Sequence, residues 1–212
     1  MDKRILLAAC VVLVVISANL SCSRQPEQQQ SNEPRLKKLL SRTDLILVKH
    51  WYPAGNLAKE EDQPKLTSVA YAPGVARIEP LWVYEPNKEL EGTKGARISL
   101  TGASWSSGYG SRRGGEGCNS YLDLGEVKDM ITAITFMSDG KAAWRNSTAS
   151  DHVEVQFQTK DSSGLTAFMD LENKKPMVGI KCGTVAVFAP FDALQSGRQE
   201  LQKAVDLLES KR

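Results

Sequence analysis

The sequence predicts an α+β domain, an antiparallel sheet packed by two amphipathic helices, on three observations. Turn residues recur at short intervals near the C-terminus, at Asp161-Ser162-Ser163-Gly164, Asn173-Lys174-Lys175-Pro176 and Cys182-Gly183, each between strand-forming runs. Apolar and polar residues alternate with period two across Ala96–Thr101 and Val153–Gln158, the mark of a half-buried strand. Two further stretches carry apolar residues at helical spacing, which puts one greasy face on each helix.

In chain order, Leu45 and Leu47 alternate with Ile46, Val48 and His50 as an early strand. Arg77–Tyr84 follows as a strand candidate, and Pro80 within it argues for an edge position or a bulge. Ala96, Ile98 and Leu100 then form the dry face of the next strand. Tyr121–Leu124 is a short strand that runs into the best-specified helix. There Asp123 and Glu126 have capping-box spacing, and Leu122 can staple onto Val127 across the cap. Val127, Met130, Ile131, Ile134 and Met137 make the buried stripe, and Gly140 stands where a left-handed cap is wanted.

Val153–Gln158, Leu165–Leu171, Met177–Lys181 and Thr184–Phe188 make a four-strand meander with turn chemistry at each joint. The final helix has Ser196 and Gln199 at capping-box spacing, a stripe of Leu201, Ala204, Val205 and Leu208, and Lys211 and Arg212 at its negative end. Tyr121–Val127 and Phe188–Leu194 echo each other as strand, turn and helix start. Their identity is low, so coincidence explains the echo as well as duplication does.

Ahead of this domain, Lys3 and Arg4 lead into an apolar run from Ile5 to Ile16 and then Ser17-Ala18-Asn19-Leu20-Ser21-Cys22. A charged start, a short apolar middle and a small-residue exit make an export signal. With a cysteine at the exit, the segment resembles the lipobox of bacterial lipoproteins, although Asn19 stands where that family has an aliphatic residue. The resemblance implies that Cys22 is acylated (palmitate among its fatty acids) and becomes the first mature residue. With Ser23 next to it, the resemblance also implies the outer membrane where a cell has two. An ordinary secretory signal cut near Ala18 or Ser21, and an uncleaved anchor just short of the ~20 apolar residues a bilayer needs, fit the same segment.

The organisation read from sequence is therefore a signal peptide at 1–21, a lipid-attachment cysteine with a disordered tether at 22–41, and one domain at 42–212. Ser23–Pro34 holds no aliphatic or aromatic residue, so it cannot bury enough surface to offset its ordering entropy. The ~190 residues after the signal suffice for one real core. The Tyr-Leu-Asp-Leu-x-Glu-Val start at Tyr121 plus the meander is similar to small exported bacterial domains, a resemblance that covers the C-terminal half and implies no activity.

The formal net charge is +2, and it falls to +1 without Asp2, Lys3 and Arg4. No basic stripe exists to track phosphates, so nucleic acid is excluded as a partner class. Cys10 lies in the signal, which leaves Cys118 and Cys182 as an even pair able to form a disulfide in an exported chain.

Neither a cofactor nor a metal is implied, since there is no Cys-x-x-Cys and His50 and His152 stand apart. Gly108-Tyr109-Gly110-Ser111-Arg112-Arg113-Gly114 lacks the spacing of a dinucleotide loop and the end of a Walker motif. The long Ser104–Gly117 loop is still a ligand candidate, with Trp105, Tyr109, Arg112 and Arg113 suited to a sugar or a carboxylate. No Gly-x-Ser-x-Gly elbow accompanies either histidine, and Glu60-Glu61-Asp62 reads as solvated charge.

The functional expectation is an exported, lipid-anchored envelope protein with a non-catalytic binding or structural role. Its membrane contact is the N-terminal lipid, and its protein or small-molecule partner is unidentified. The alternative is an envelope hydrolase with a site near the Ser104–Gly117 loop. A third reading, an assembly subunit, requires an uncovered strand edge or apolar patch.

Overall fold

The computed structural model describes residues 33–59, 74–104, 114–138, 154–161, 163–170 and 175–211. Within them the chain forms helix α1 (Arg35–Leu40), β1 (Val48–Trp51), β2 (Gly55–Ala58), β3 (Val75–Tyr84), a 3₁₀ turn (Glu89–Glu91), β4 (Thr93–Ser104) and β5 (Gly114–Asp123). Helix α2 (Leu124–Ser138), β6 (Glu154–Gln158), β7 (Ser163–Asp170), β8 (Lys175–Cys182), β9 (Val185–Pro190) and α3 (Phe191–Ser210) follow. The fold class is α+β, and β6 to β9 form the antiparallel four-strand meander. At its last turn Gly183 adopts φ +55°, a left-handed conformation that favours glycine.

All nine strands are connected through hydrogen bonds, but the sheet has two antiparallel halves. One is β1 to β5, and the other is the meander. Their backbone joint is short: only Ala103 with Ala186 and Ser104 with Val185 pair across β4 and β9. Packing does the rest. Helices α2 and α3 cover one face with Val127, Met130, Ile134 and Met137 and with Phe191, Leu194, Leu201 and Leu208, all buried. Most of these meet Ile98, Leu100, Leu165, Val178 and Val187 in a single cluster that spans both halves. Each such side chain contributes about 1.5–3 kcal/mol by leaving water. Among the described residues, no helix is long and apolar enough to cross a membrane.

Several elements differ from the sequence expectation. The stretch assigned to the tether contains α1, whose Leu36, Leu39 and Leu40 fall at i, i+3 and i+4 and pack on Leu81 and Val83. The compact unit begins at Glu33. One and a half turns are too few for periodicity to reveal. The early strand is only Val48–Trp51. Pro80 is neither at an edge nor in a bulge, because β3 pairs along its length with β4. It sits where the partner on the other side changes from β2, paired as far as Ile78, to β1, paired from Leu81.

Helix α3 begins at Phe191, so Ser196 and Gln199 lie inside it and form no capping box. Helix α2 shows half of the expected box, with the Asp123 amide donating to Glu126 Oε2 at 3.1 Å. The other half is redirected. The Asp123 carboxylate accepts hydrogen bonds from the amides of Arg35 and Leu36, both at 2.9 Å, and so caps α1. Gly140 and Arg212 lie outside the described residues.

A candidate binding cleft at one end of the sheet

Register brings four chain segments to the same end of the N-terminal half-sheet. Val48 at the start of β1 pairs with Tyr84 at the end of β3. Val83 pairs with Thr93 at the start of β4, and Gly95 pairs with Asp123 at the end of β5. The segments preceding β1, joining β3 to β4 and opening α2 therefore converge there, beside α1.

Between α1 and the β3–β4 connection lies an open cleft of about 350 Å³, lined by Arg35, Lys38, Arg42, Tyr84, Lys88 and Glu91 among others. A smaller recess of about 280 Å³ shares Arg35, Gly92 and Thr93 with it and reaches Lys94, Asp123 and Leu124. The cations around the cleft differ in their freedom. Arg42 donates to both carboxylate oxygens of Asp44, and this hydrogen bonding lowers the Asp44 pKa, while Lys88 pairs with Glu85 at 3.1 Å. Arg35 and Lys38 have no ion-pair partner among the described residues.

Behind the cleft stands an aromatic cluster on the helix-bearing face. Trp82 and Tyr84 are buried against Leu208, with Val48, Tyr52 and Leu124 packed around them. His50 lies at the surface of this cluster, stacked on Tyr84 with ring centroids 5.5 Å apart, and its Nε2 is 2.7 Å from the Tyr84 hydroxyl. Two ammonium groups ride on the rings, Lys94 at 5.4 Å from Trp82 and Lys211 at 5.6 Å from Tyr52. Such contacts contribute ~0.5–1 kcal/mol each at exposed sites. Burial raises the Tyr52 pKa, and the nearby Tyr84 hydroxyl adds to the effect.

Trp82 Nε1 is the buried side-chain nitrogen without a hydrogen-bond partner among the described residues. It faces Gly92, where an added Cβ would come within 2.4 Å of it and 2.9 Å of the Glu89 carbonyl oxygen. Gly92→Ala should therefore displace the indole or the turn, at a cost of about 1–3 kcal/mol by overpacking. Chemical denaturation monitored by tryptophan fluorescence measures it, and an unchanged midpoint would mean that the turn gives way freely.

The second set of tight contacts is structural. Cys118 of β5 and Cys182 of β8 form a disulfide with Cα atoms 5.9 Å apart. Asp161 accepts from the Tyr121 amide at 2.9 Å and pairs with Lys37, whose pKa that bond raises. Asp161, Asp123 and Glu126 together fasten α1, the β5–α2 junction and the β6–β7 turn.

Comparison with protein-family models, with curated proteins and with solved structures finds no match. The candidate residues of the sequence fall in three places. Cys22, the loop residues Trp105, Tyr109, Arg112 and Arg113, and His152 lie outside the described residues. Cys118 and Cys182 are brought together. His50 is drawn into the aromatic cluster, where no serine or carboxylate among the described residues pairs with it. The cleft itself was missed because its residues come from Arg35 to Thr93 with no motif spacing, and only strand register unites them.

Proposed function

We propose that this protein is exported, held to the membrane by acylated Cys22, and serves a non-catalytic binding role in the cell envelope. It faces the periplasm or the exterior, at the outer membrane where two membranes exist. The observation that carries the reading is the Cys118–Cys182 disulfide behind a lipobox-like exit, because disulfides persist in oxidising compartments and are rare in the cytosol. The binding role draws support from the open cleft with its two cations that are unpaired among the described residues. A hydrolase near the Ser104–Gly117 loop draws none from His50, whose ring nitrogen is engaged by a phenol.

Intact mass and membrane partitioning of the native protein beside Cys22→Ser test the reading. The expected result is a chain beginning at Cys22 with added acyl groups, recovered with membranes, and neither feature in the variant. A soluble, unacylated chain beginning near residue 19 or 22 would overturn the anchor.

A further inference from the structure

Four large hydrophobic side chains are exposed among the described residues: Ile46, Trp51, Leu90 and Phe136. Trp51 is covered in part by the Arg97 guanidinium, 4.4 Å from its ring centroid. Phe136 lies toward the far end of α2, about 18 Å along the helix from Leu124. Ile46 and Leu90 are different. They are 79% and 91% exposed; Leu90 stands between Lys88 and Glu91 of the cleft lining, and Ile46 precedes Leu47, which packs in one cluster with Leu36 and Leu39 of α1 and Val83. Aliphatic side chains so bare, on a domain end whose cleft holds cations unpaired among the described residues, match a lipid interface, where apolar groups enter the acyl boundary and cations meet phosphates.

Resting on the lipid anchor proposed above, we propose that this end of the domain docks on the phospholipid surface to which Cys22 tethers the chain. Headgroup phosphates meet Arg35 and Lys38 in the cleft, and Ile46 and Leu90 enter the interface. The chain outside the compact unit names the occupant. Eleven residues separate Cys22 from Pro34, where the chain enters α1. Whatever path they take, those residues reach at most about 40 Å, so the end that carries α1 is held at high effective concentration near the lipid. The phosphate is the recognised chemistry: Arg42 and Lys88 are already neutralised by Asp44 and Glu85, which leaves Arg35 and Lys38 as donors, with Glu91 beside them.

The test uses the native membrane-derived protein and hydrogen–deuterium exchange, with intact mass read on the same sample. Vesicles of phosphatidylethanolamine and phosphatidylglycerol are compared with nonionic detergent micelles, which accept acyl chains but offer no phosphate. The amides of 41–47 and 88–92 should exchange more slowly on vesicles than in micelles, and those of 135–138 should not change. Arg35→Gln with Lys38→Gln, and separately Leu90→Asp, should abolish the difference while exchange in β8 stays native.

Equal exchange in vesicles and micelles on acylated protein would overturn docking and leave the anchor standing. Slowed exchange on protein whose mass shows no acyl group would uphold docking and overturn the anchor. No slowing and no acyl group would overturn both. Slowing that survives both variants would overturn the assignment of the interface to this end.

Discussion

Replacing Cys118 and Cys182 together by alanine should lower the free energy of unfolding by about 4 kcal/mol. The figure follows from the sequence separation of 64 residues, because the bridge removes the freedom of that loop from the unfolded chain. The architecture gives the loss a second consequence. Ala103 and Ser104 pair with Ala186 and Val185, and this is the backbone joint between the half-sheets. Cys118 pairs with Leu100 just before that joint on the β4 side, and Cys182 pairs with Val185 on the other. Without the bridge, two residue pairs and the shared apolar core must hold the halves together.

With an m-value of about 2 kcal/mol/M, the urea midpoint should fall by roughly 2 M. Amides of β9 and the end of β4 should exchange faster before global unfolding, as a local opening of the joint. Reduction of the native protein should reproduce both effects. A midpoint shift below roughly 0.5 M would show that the bridge adds little beyond the packed core. The loss matters for the proposed function too, since a protein exported as proposed must hold its fold without cytosolic chaperones. A chain weakened by this much spends a larger fraction of time open to proteolysis.

Much of this fold was legible in the sequence, and the parts that were not have identifiable physical reasons. The β6–β9 meander was readable because each strand is bounded by turn residues with their own backbone preferences, Gly183 above all. The α2 stripe was readable because Val127 to Met137 spans three turns, enough for a period of 3.6 to separate from two. Helix α1 has one and a half turns, and its leucines follow a polar stretch, so composition outweighed periodicity.

Pro80 misled because the edge rule concerns a missing amide donor, and here the proline falls at the gap between β2 and β1. Ser196 misled because a serine–glutamine spacing inside a helix looks the same as one at its start. Cys118 and Cys182 could be paired by compartment and even count. The cleft was invisible for the opposite reason: Arg35, Lys38 and Lys88 have ordinary surface identities until the register of β1, β3 and β4 gathers their segments.

Glu126→Ala should cost about 3–6 kcal/mol, an effect near that of the disulfide, although the residue is one of many glutamates in the sequence. The residue is buried, at 7% exposure. Oε2 accepts from the Asp123 amide at 3.1 Å, and Oε1 accepts from the Lys160 amide at 2.8 Å. Alanine leaves two backbone donors without acceptors, at about 1.5–3 kcal/mol each for bonds to a charged group. Glu126→Gln is an informative intermediate. Its amide oxygen can accept one of the two bonds, but its NH₂ then faces the other donor, so it should recover about half of the loss.

The two acids at this junction should also be coupled. Glu126 fixes the amide of Asp123, and the Asp123 carboxylate caps α1 through Arg35 and Leu36. In Glu126→Ala the cap is already loosened, so adding Asp123→Ala should cost less than it does alone, by about 1 kcal/mol in a double-mutant cycle. Urea denaturation of the four chains measures the coupling. Strict additivity would mean that Asp123 caps α1 independently of Glu126, and the α1 end of the domain would then keep its cleft when the β5–α2 junction is damaged. The predicted coupling says instead that a single buried carboxylate holds the junction and the cleft together.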